Sequence, residues 1–505
     1  MPTTFTTIDW IIVVAYLSVS VAAGLVGKRF IGGSVAHYLV AGRELGTFLG
    51  IATLAATEIG TITYMYNAEL GYRYGFAAFG AALISGLVMI IVGRTGFVIS
   101  RFREMRLMTV PEFFELKYSR GLRLLTGALV ALGGLLNMGV FLKIEGKFLT
   151  IVSGIGSHYL IEAMTVILLL ELLYTVLGGM VSVVITDFIQ YVLLSIATIL
   201  VSMYAVHHAG WTNMLSKVTS VMGRAGFDPL AAPKFGLTFL IWQTLLWFSI
   251  HTCWQTTAMR MLSTRDAKTS RRVMSWTGLI FLGRGMLPML WGIAALTIFG
   301  SGALNGGVPN PVVSGRTVAP IDAMPAMLAA ILGPGIKGLV VAGMLAATMS
   351  VNSSYLLGWS AVISQDIILP FRQMRNAAPL SSRAQIVVNR IANLLVSLFL
   401  MFWGLYYTPP GAVYLYLNIT GTIFLAGAFV CVVGGLYWHR ASVAGGYLAM
   451  LMGAAGAIIP FFFLHWSENV TGFTAFALAG LGLVTGSFLK AKPARRIVAP
   501  ALEEA

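Results

Sequence analysis

Hydroxyls and a carboxylate stand inside segments apolar enough to enter a bilayer, in a pattern suited to holding a dehydrated cation. The stretch from Leu339 to Ile367 contains MLAATMSVNSSYLL at Met344–Leu357, and another contains GGMVSVVITDFIQ at Gly178–Gln190. Ser350, Ser353 and Ser354 recur at three- to four-residue spacing, one face of a helix, while Asp187 offers a carboxylate from a different segment. Polar groups are costly in hydrocarbon, so at membrane depth they point to function. Hard cations take oxygen ligands, and several of them once stripped of water. The plain alternative for Asp187 is a solvated carboxylate about two turns beyond Gly178 and Gly179. For the serines it is a hydroxyl bonded back to its own helix.

Other polar residues interrupt apolar runs. Glu58 and Thr61 stand in the run from Leu45 to Leu70; Glu58 reads as a proton-coupling group, a counter-charge for a cationic solute, or the partner of a buried base. Lys143 and Lys147 share one helix face with Glu145 turned away from it, and Arg284 lies alone in a later run. Lys143 and Arg284 are candidates to bind a substrate carboxylate or to put a fixed charge in the place of a coupling cation, and Lys147 for snorkelling. Gln243, Trp247, His251 and Gln255 recur at steps of four. An aromatic wall with a few polar groups describes a small-molecule site, and equally ordinary bundle packing. Tyr414, Asn418 and Thr420 are candidates for a gate.

The elements that must position these groups are membrane helices. Mean hydropathy is +0.85, with 58% hydrophobic and only 10% charged residues, against about 25% charged in soluble domains. At roughly 20 apolar residues per crossing, thirteen spans are expected, starting near Ile8, Leu45, Phe76, Leu122, Tyr159, Val181, Leu237, Val273, Ala326, Ile386, Val413, Val443 and Phe473. The ninth run is too long for one helix, so a short helix precedes Gly335 and the span follows it.

The net charge of +15 is a topology signal. Alternate loops are rich in bases (Lys28, Arg29, Arg43; Arg101, Arg103, Arg106, Lys117, Arg120; Arg260, Arg265, Lys268, Arg271, Arg272; Arg372, Arg375, Arg383; Arg440) or poor in them (Arg73, Lys217, Arg224, Lys234, Arg316). Positive loops stay inside, which predicts an N terminus outside, a cytoplasmic C terminus, a plasma-membrane location and no nucleic-acid partner. Cys253 and Cys431 imply no disulfide framework. Nothing in the sequence speaks to oligomeric state.

The expected organisation is a first helix and loop (1–44), a first five-span group (45–207), an outside loop with a short surface helix (208–234), a second five-span group (235–436), two further spans (437–490) and a tail (491–505). Each group opens with a polar-interrupted helix, which points to an inverted repeat around a midplane site.

Together with TVPEFFELKYS at Thr109–Ser119 and QTTAMRMLSTRDAKTSRR at Gln255–Arg272, the two motifs above resemble the sodium:solute symporter family, from about Ile8 to Lys490. The resemblance implies an all-α polytopic protein with a LeuT-type five-plus-five inverted-repeat core, alternating access and uptake driven by a cation gradient. Carried over, its cation site falls on the carbonyls of Ala56, Ile59 and Ala347, the hydroxyl of Ser350, and Val351, which has no hydroxyl. Water, a neighbouring carbonyl, Thr348 or Thr57 would complete it; otherwise coupling is to protons or absent. A further cation site of some relatives falls on Ser353, Ser354 and Asp187. The expected activity is import of a small polar solute with a cation, sodium by family default, and the expected solute-site residues are Glu58, Thr61, Lys143, Gln243, Trp247, His251 and Arg284. A transporter-like sensor is the distant rival; no HExxH and no GxSxG in context suggests an enzyme.

Overall fold

Hydrocarbon offers no water to the backbone, so apolar spans must close their own hydrogen bonds as helices. The computed structural model describes residues 5–27, 35–232, 234–409 and 411–489; Lys28, Arg29 and the 491–505 tail lie outside them. The membrane-domain helices, in chain order, are α1 (Thr7–Gly27), α2 (Thr47–Glu58), α3 (Thr61–Tyr74), α4 (Phe79–Thr95), α5 (Arg120–Met138), α6 (Phe141–Ser153), α7 (Leu160–Ala209), α8 (Gly236–Cys253), α9 (Gln255–Leu262), α10 (Ala267–Phe299), α11 (Ile336–Val362), α12 (Ser382–Tyr406), α13 (Val413–Tyr437), α14 (Val443–Ile458) and α15 (Glu468–Phe488).

Among the described residues, 9 helical stretches are long and apolar enough to cross a membrane unaided. The other expected spans are the first, the two broken by polar residues and the fifth. Helix α7 runs unbroken through 50 residues, about 75 Å if straight, so the fifth and sixth expected spans share one helical element with no turn at Gly178 and Gly179. Before α11, the helix Ala323–Ile331 ends ahead of Gly335, whose φ of +80° sets the change of direction. The loop between α7 and α8 holds a helix at Trp211–Met222, where a short surface helix is expected.

One element departs from an all-helical fold. After α10, strands β1 (Gly300–Asn305), β2 (Val308–Val313) and β3 (Arg316–Thr317) form a small antiparallel sheet in that order. Gly306 and Gly307, then Ser314 and Gly315, all take positive φ, the conformation that two-residue hairpin turns require.

Helix α11 is the axis of the packing: every residue from Val340 to Val362 is buried, so its hydroxyls must find partners within the protein. Helices α3 and α10 pack backbone to backbone. A Cβ on Gly292 would lie 1.8 Å from the Ala68 carbonyl oxygen, and one on Gly71 1.9 Å from that of Met289. Gly292→Ala is therefore expected to cost about 1–3 kcal/mol through overpacking, read as a lower thermal midpoint of the purified protein; an unchanged midpoint would mean the two helices can separate freely.

Candidate functional site

Among the described residues, two helices break at buried positions inside the bundle. Between α2 and α3, Ile59 (φ −115°, ψ 80°) and Gly60 (φ −97°, ψ 166°) leave helical geometry. Between α8 and α9, Trp254 does so (φ −69°, ψ 125°). A helix end leaves carbonyls without their usual intrahelical partners, and the first break lies against α11. The Val351 isopropyl packs there: a Cβ on Gly60 would come within 2.8 Å of Val351 Cγ2.

Beside this break lies a polar cluster fully cut off from solvent. Asp187 accepts from Ser350 Oγ through Oδ1 at 2.5 Å and from Thr53 Oγ1 through Oδ2 at 2.5 Å. Arg260 Nη2 approaches Asp187 Oδ2 at 3.3 Å, its Nε donates to Thr53 Oγ1 at 3.0 Å, and Nη2 also donates to Ser354 Oγ. Thr57 and Ser354 share a hydroxyl contact of 3.2 Å. Asp187 and Arg260 are both 0% exposed, so each needs the other: a buried charge without a partner is strongly destabilising.

Next to the cluster is a cavity of about 70 Å³, walled by Tyr66, Phe141, Trp247, Trp254 and Tyr355, with Glu58, Asn137, Arg284 and Asn418 among its polar groups. Arg284 lies over the Phe281 ring, 4.2 Å from its centroid, and donates through Nη2 to Tyr66 Oη at 3.3 Å. Its Nη1 is buried without a partner among the described residues. Glu58 Oε1 accepts from Thr256 at 3.1 Å and Thr257 at 2.7 Å, both on α9. Cavity and cluster share a wall through adjacent residues: Glu58 and Val351 line the cavity, while Thr57 and Ser350 belong to the cluster.

The structure thus brings together Ser350, Ser354 and Asp187, and separately Glu58, Trp247 and Arg284. Ala56 and Ile59 stand at the α2–α3 break, Ala347 precedes Ser350 on α11 and Val351 lines the cavity, whereas the remaining candidates make other contacts. Ser353 Oγ bonds back to the Ser350 carbonyl at 3.0 Å, as hydroxyls in helices commonly do. Lys143 donates to the Tyr407 carbonyl and to Thr408 Oγ1, away from the cavity. Thr61 is tied to the Met344 carbonyl at 2.5 Å, and His251 Nε2 meets the Ser85 carbonyl at 3.0 Å. Gln243 supports the cavity from behind, accepting from Tyr414 Oη at 2.6 Å, and Gln255 accepts from the Val110 amide at 3.0 Å.

One expectation is corrected outright: Arg260, counted with a basic loop, is buried, and the alternative of a solvated Asp187 falls with it, since Asp187 is buried beside Arg260. Arg260 is drawn inward because Asp187 on α7 and the hydroxyls of Thr53 on α2 and Ser354 on α11 await it. The signal was present in QTTAMRMLS, where the base follows a polar-interrupted helix, but a charge count per loop hides it.

Residues 38–453 match the model of the family described as SSF: Sodium:solute symporter family. The sodium/pantothenate symporter of Haemophilus influenzae is 24% identical over 449 residues, 86% of this chain and 85% of that protein. The sodium/glucose cotransporter of Vibrio parahaemolyticus is 25% identical over 476 residues, 90% and 84% of the two chains. Among solved structures, the substrate-bound outward-open state of a Na+-coupled sialic acid symporter superposes with a TM-score of 0.79, at 17% identity, over 98% of this chain and 100% of that one. At that identity the likeness establishes the fold.

Proposed function

Because the chain belongs to the sodium:solute symporter family, we propose that it couples sodium to the import of a small carboxylate-bearing solute, held in the cavity against Arg284. The observation that carries this reading is the shared wall: Thr57 with Glu58, and Ser350 with Val351, place one neighbour on each side. An ion on one side therefore bears directly on the solute surface of the other.

Sodium binds at the carbonyls of Ala56, Ile59 and Ala347 and at Ser350 Oγ, with water in the place of a hydroxyl at Val351. Ser350 gives its one proton to Asp187, which leaves its oxygen lone pairs for a cation. The ion bridges the α2–α3 break to α11 and favours the conformation in which those elements meet; it acts only through differential affinity. Arg260 supplies the positive charge at Asp187, so the second cation position is filled by the protein and one sodium moves per cycle.

Arg284 has a buried N–H unpaired among the described residues and a planar fork suited to a carboxylate. Glu58 opposite accepts a donor group of the same solute. Among the solutes named for relatives, pantothenate and sialic acid carry such a carboxylate and glucose does not. The base-rich loops favour a cytoplasmic C terminus and an N terminus outside the plasma membrane, and residues 45–207 and 235–436 are read as the two core repeats.

Uptake of labelled carboxylates into proteoliposomes under an inward sodium gradient tests the proposal; no response to sodium for any of them would sink it. Val351→Ser should lower the sodium concentration for half-maximal uptake about tenfold, roughly 1.4 kcal/mol. An unchanged or weaker sodium response would remove Val351 from the ion's surroundings.

A further inference from the structure

Away from both sites, two carboxylates share a single amide in the middle of the bundle. Asn352 Nδ2, on α11, donates to Glu145 Oε2 at 2.8 Å and to Glu171 Oε1 at 3.0 Å. Glu145 on α6 and Glu171 on α7 are each 1% exposed, and Asn352 2%. Glu145 Oε1 and Asn352 Oδ1 have no partner among the described residues.

The bases on the surrounding helices are engaged elsewhere. Lys143 donates to the Tyr407 carbonyl, Lys147 pairs with Asp322, Arg73 with Glu69, and Lys337 donates to the Ala329 carbonyl. Arg284 meets Tyr66 and Arg390 bonds Tyr38. The other acid of α7 within the bundle, Asp187, is held by Arg260.

Two bare negative charges in apolar surroundings, facing one another and without a cation, are not sustainable; such groups neutralise instead. A metal ion does not suit the geometry, because the amide turns its N–H groups, not its oxygen, toward both carboxylates. A proton does. We propose that Glu145 and Glu171 bind one proton between them, and that this proton exchanges with water as α6, α7 and α11 move during the transport cycle. Three helices from both halves of the core meet at this pair, so relative motion of the halves changes its access to water. The inference goes beyond sodium coupling and does not rest on the solute assigned above.

The test uses the full chain in liposomes, with infrared difference spectra and exchange of radioactive sodium, stepped from about pH 6 to about pH 9. The wild type should show a carboxylic-acid C=O band that is lost on the alkaline side, together with a pH-dependent exchange rate. The Glu145→Gln/Glu171→Gln double variant should lose the band and the pH dependence while still exchanging sodium. Absence of the band from the wild type, or an unaltered pH profile in the double variant, would overturn the proposal. Should the double variant fail to fold, Glu145→Gln, which mimics the protonated acid, provides the same readout. Loss of sodium exchange in the wild type itself would instead count against the sodium reading.

Discussion

Arg260→Gln is expected to destabilise the purified protein by about 3–5 kcal/mol. Asp187 is 0% exposed, and its remaining partners, Ser350 and Thr53, are neutral hydroxyls. Removing the guanidinium leaves a charge that water cannot reach. Asp187→Asn should cost a similar amount by stranding Arg260. The double variant should recover most of the loss, since an uncharged pair no longer needs a counter-ion; the coupling between the two sites is the quantity to measure.

Sodium should discriminate between these variants. In Arg260→Gln the vacated volume borders Asp187 Oδ2, Thr53 Oγ1 and Ser354 Oγ, an oxygen set that suits an alkali cation. Its thermal midpoint should therefore rise with sodium concentration, as mass action requires. Asp187→Asn, with the guanidinium still in place, should show no such gain. If Arg260→Gln melts like the wild type and ignores sodium, the guanidinium is not neutralising the cluster.

The second large effect concerns the cavity. Arg284→Gln should weaken apparent affinity for a carboxylate solute by on the order of 10- to 100-fold, the worth of a hydrogen bond to a charged group, about 1.5–3 kcal/mol. Arg284→Lys keeps the charge but not the fork, so it should restore only part of this. An analogue in which an amide replaces the carboxylate should bind wild type and variant more nearly alike. Equal losses for both compounds would show that Arg284 shapes the cavity without reading the carboxylate.

Much of this was legible in one dimension because bilayers restrict the choices. Twenty apolar residues in hydrocarbon can do little but form a helix, so the spans and the polar interruptions at Glu58 and at His251–Gln255 follow from residue order. The short β-sheet after α10 was missed, although Gly306-Gly307 and Ser314-Gly315 are turn signals, because a membrane reading looks for helices.

What residue order determined by itself was the inventory: apolar spans, two interrupted helices, a hydroxyl-bearing helix and an intramembrane carboxylate. Only the tertiary structure decided the pairings. Arg260 lies 73 residues from Asp187 and Asn352 207 from Glu145, and nothing local to either residue says which helix it will face. A charge in hydrocarbon must find its complement wherever packing delivers one. That requirement took Arg260 out of the basic loop and into the centre of the site, and it left Lys143, Thr61, His251 and Ser353 satisfied elsewhere.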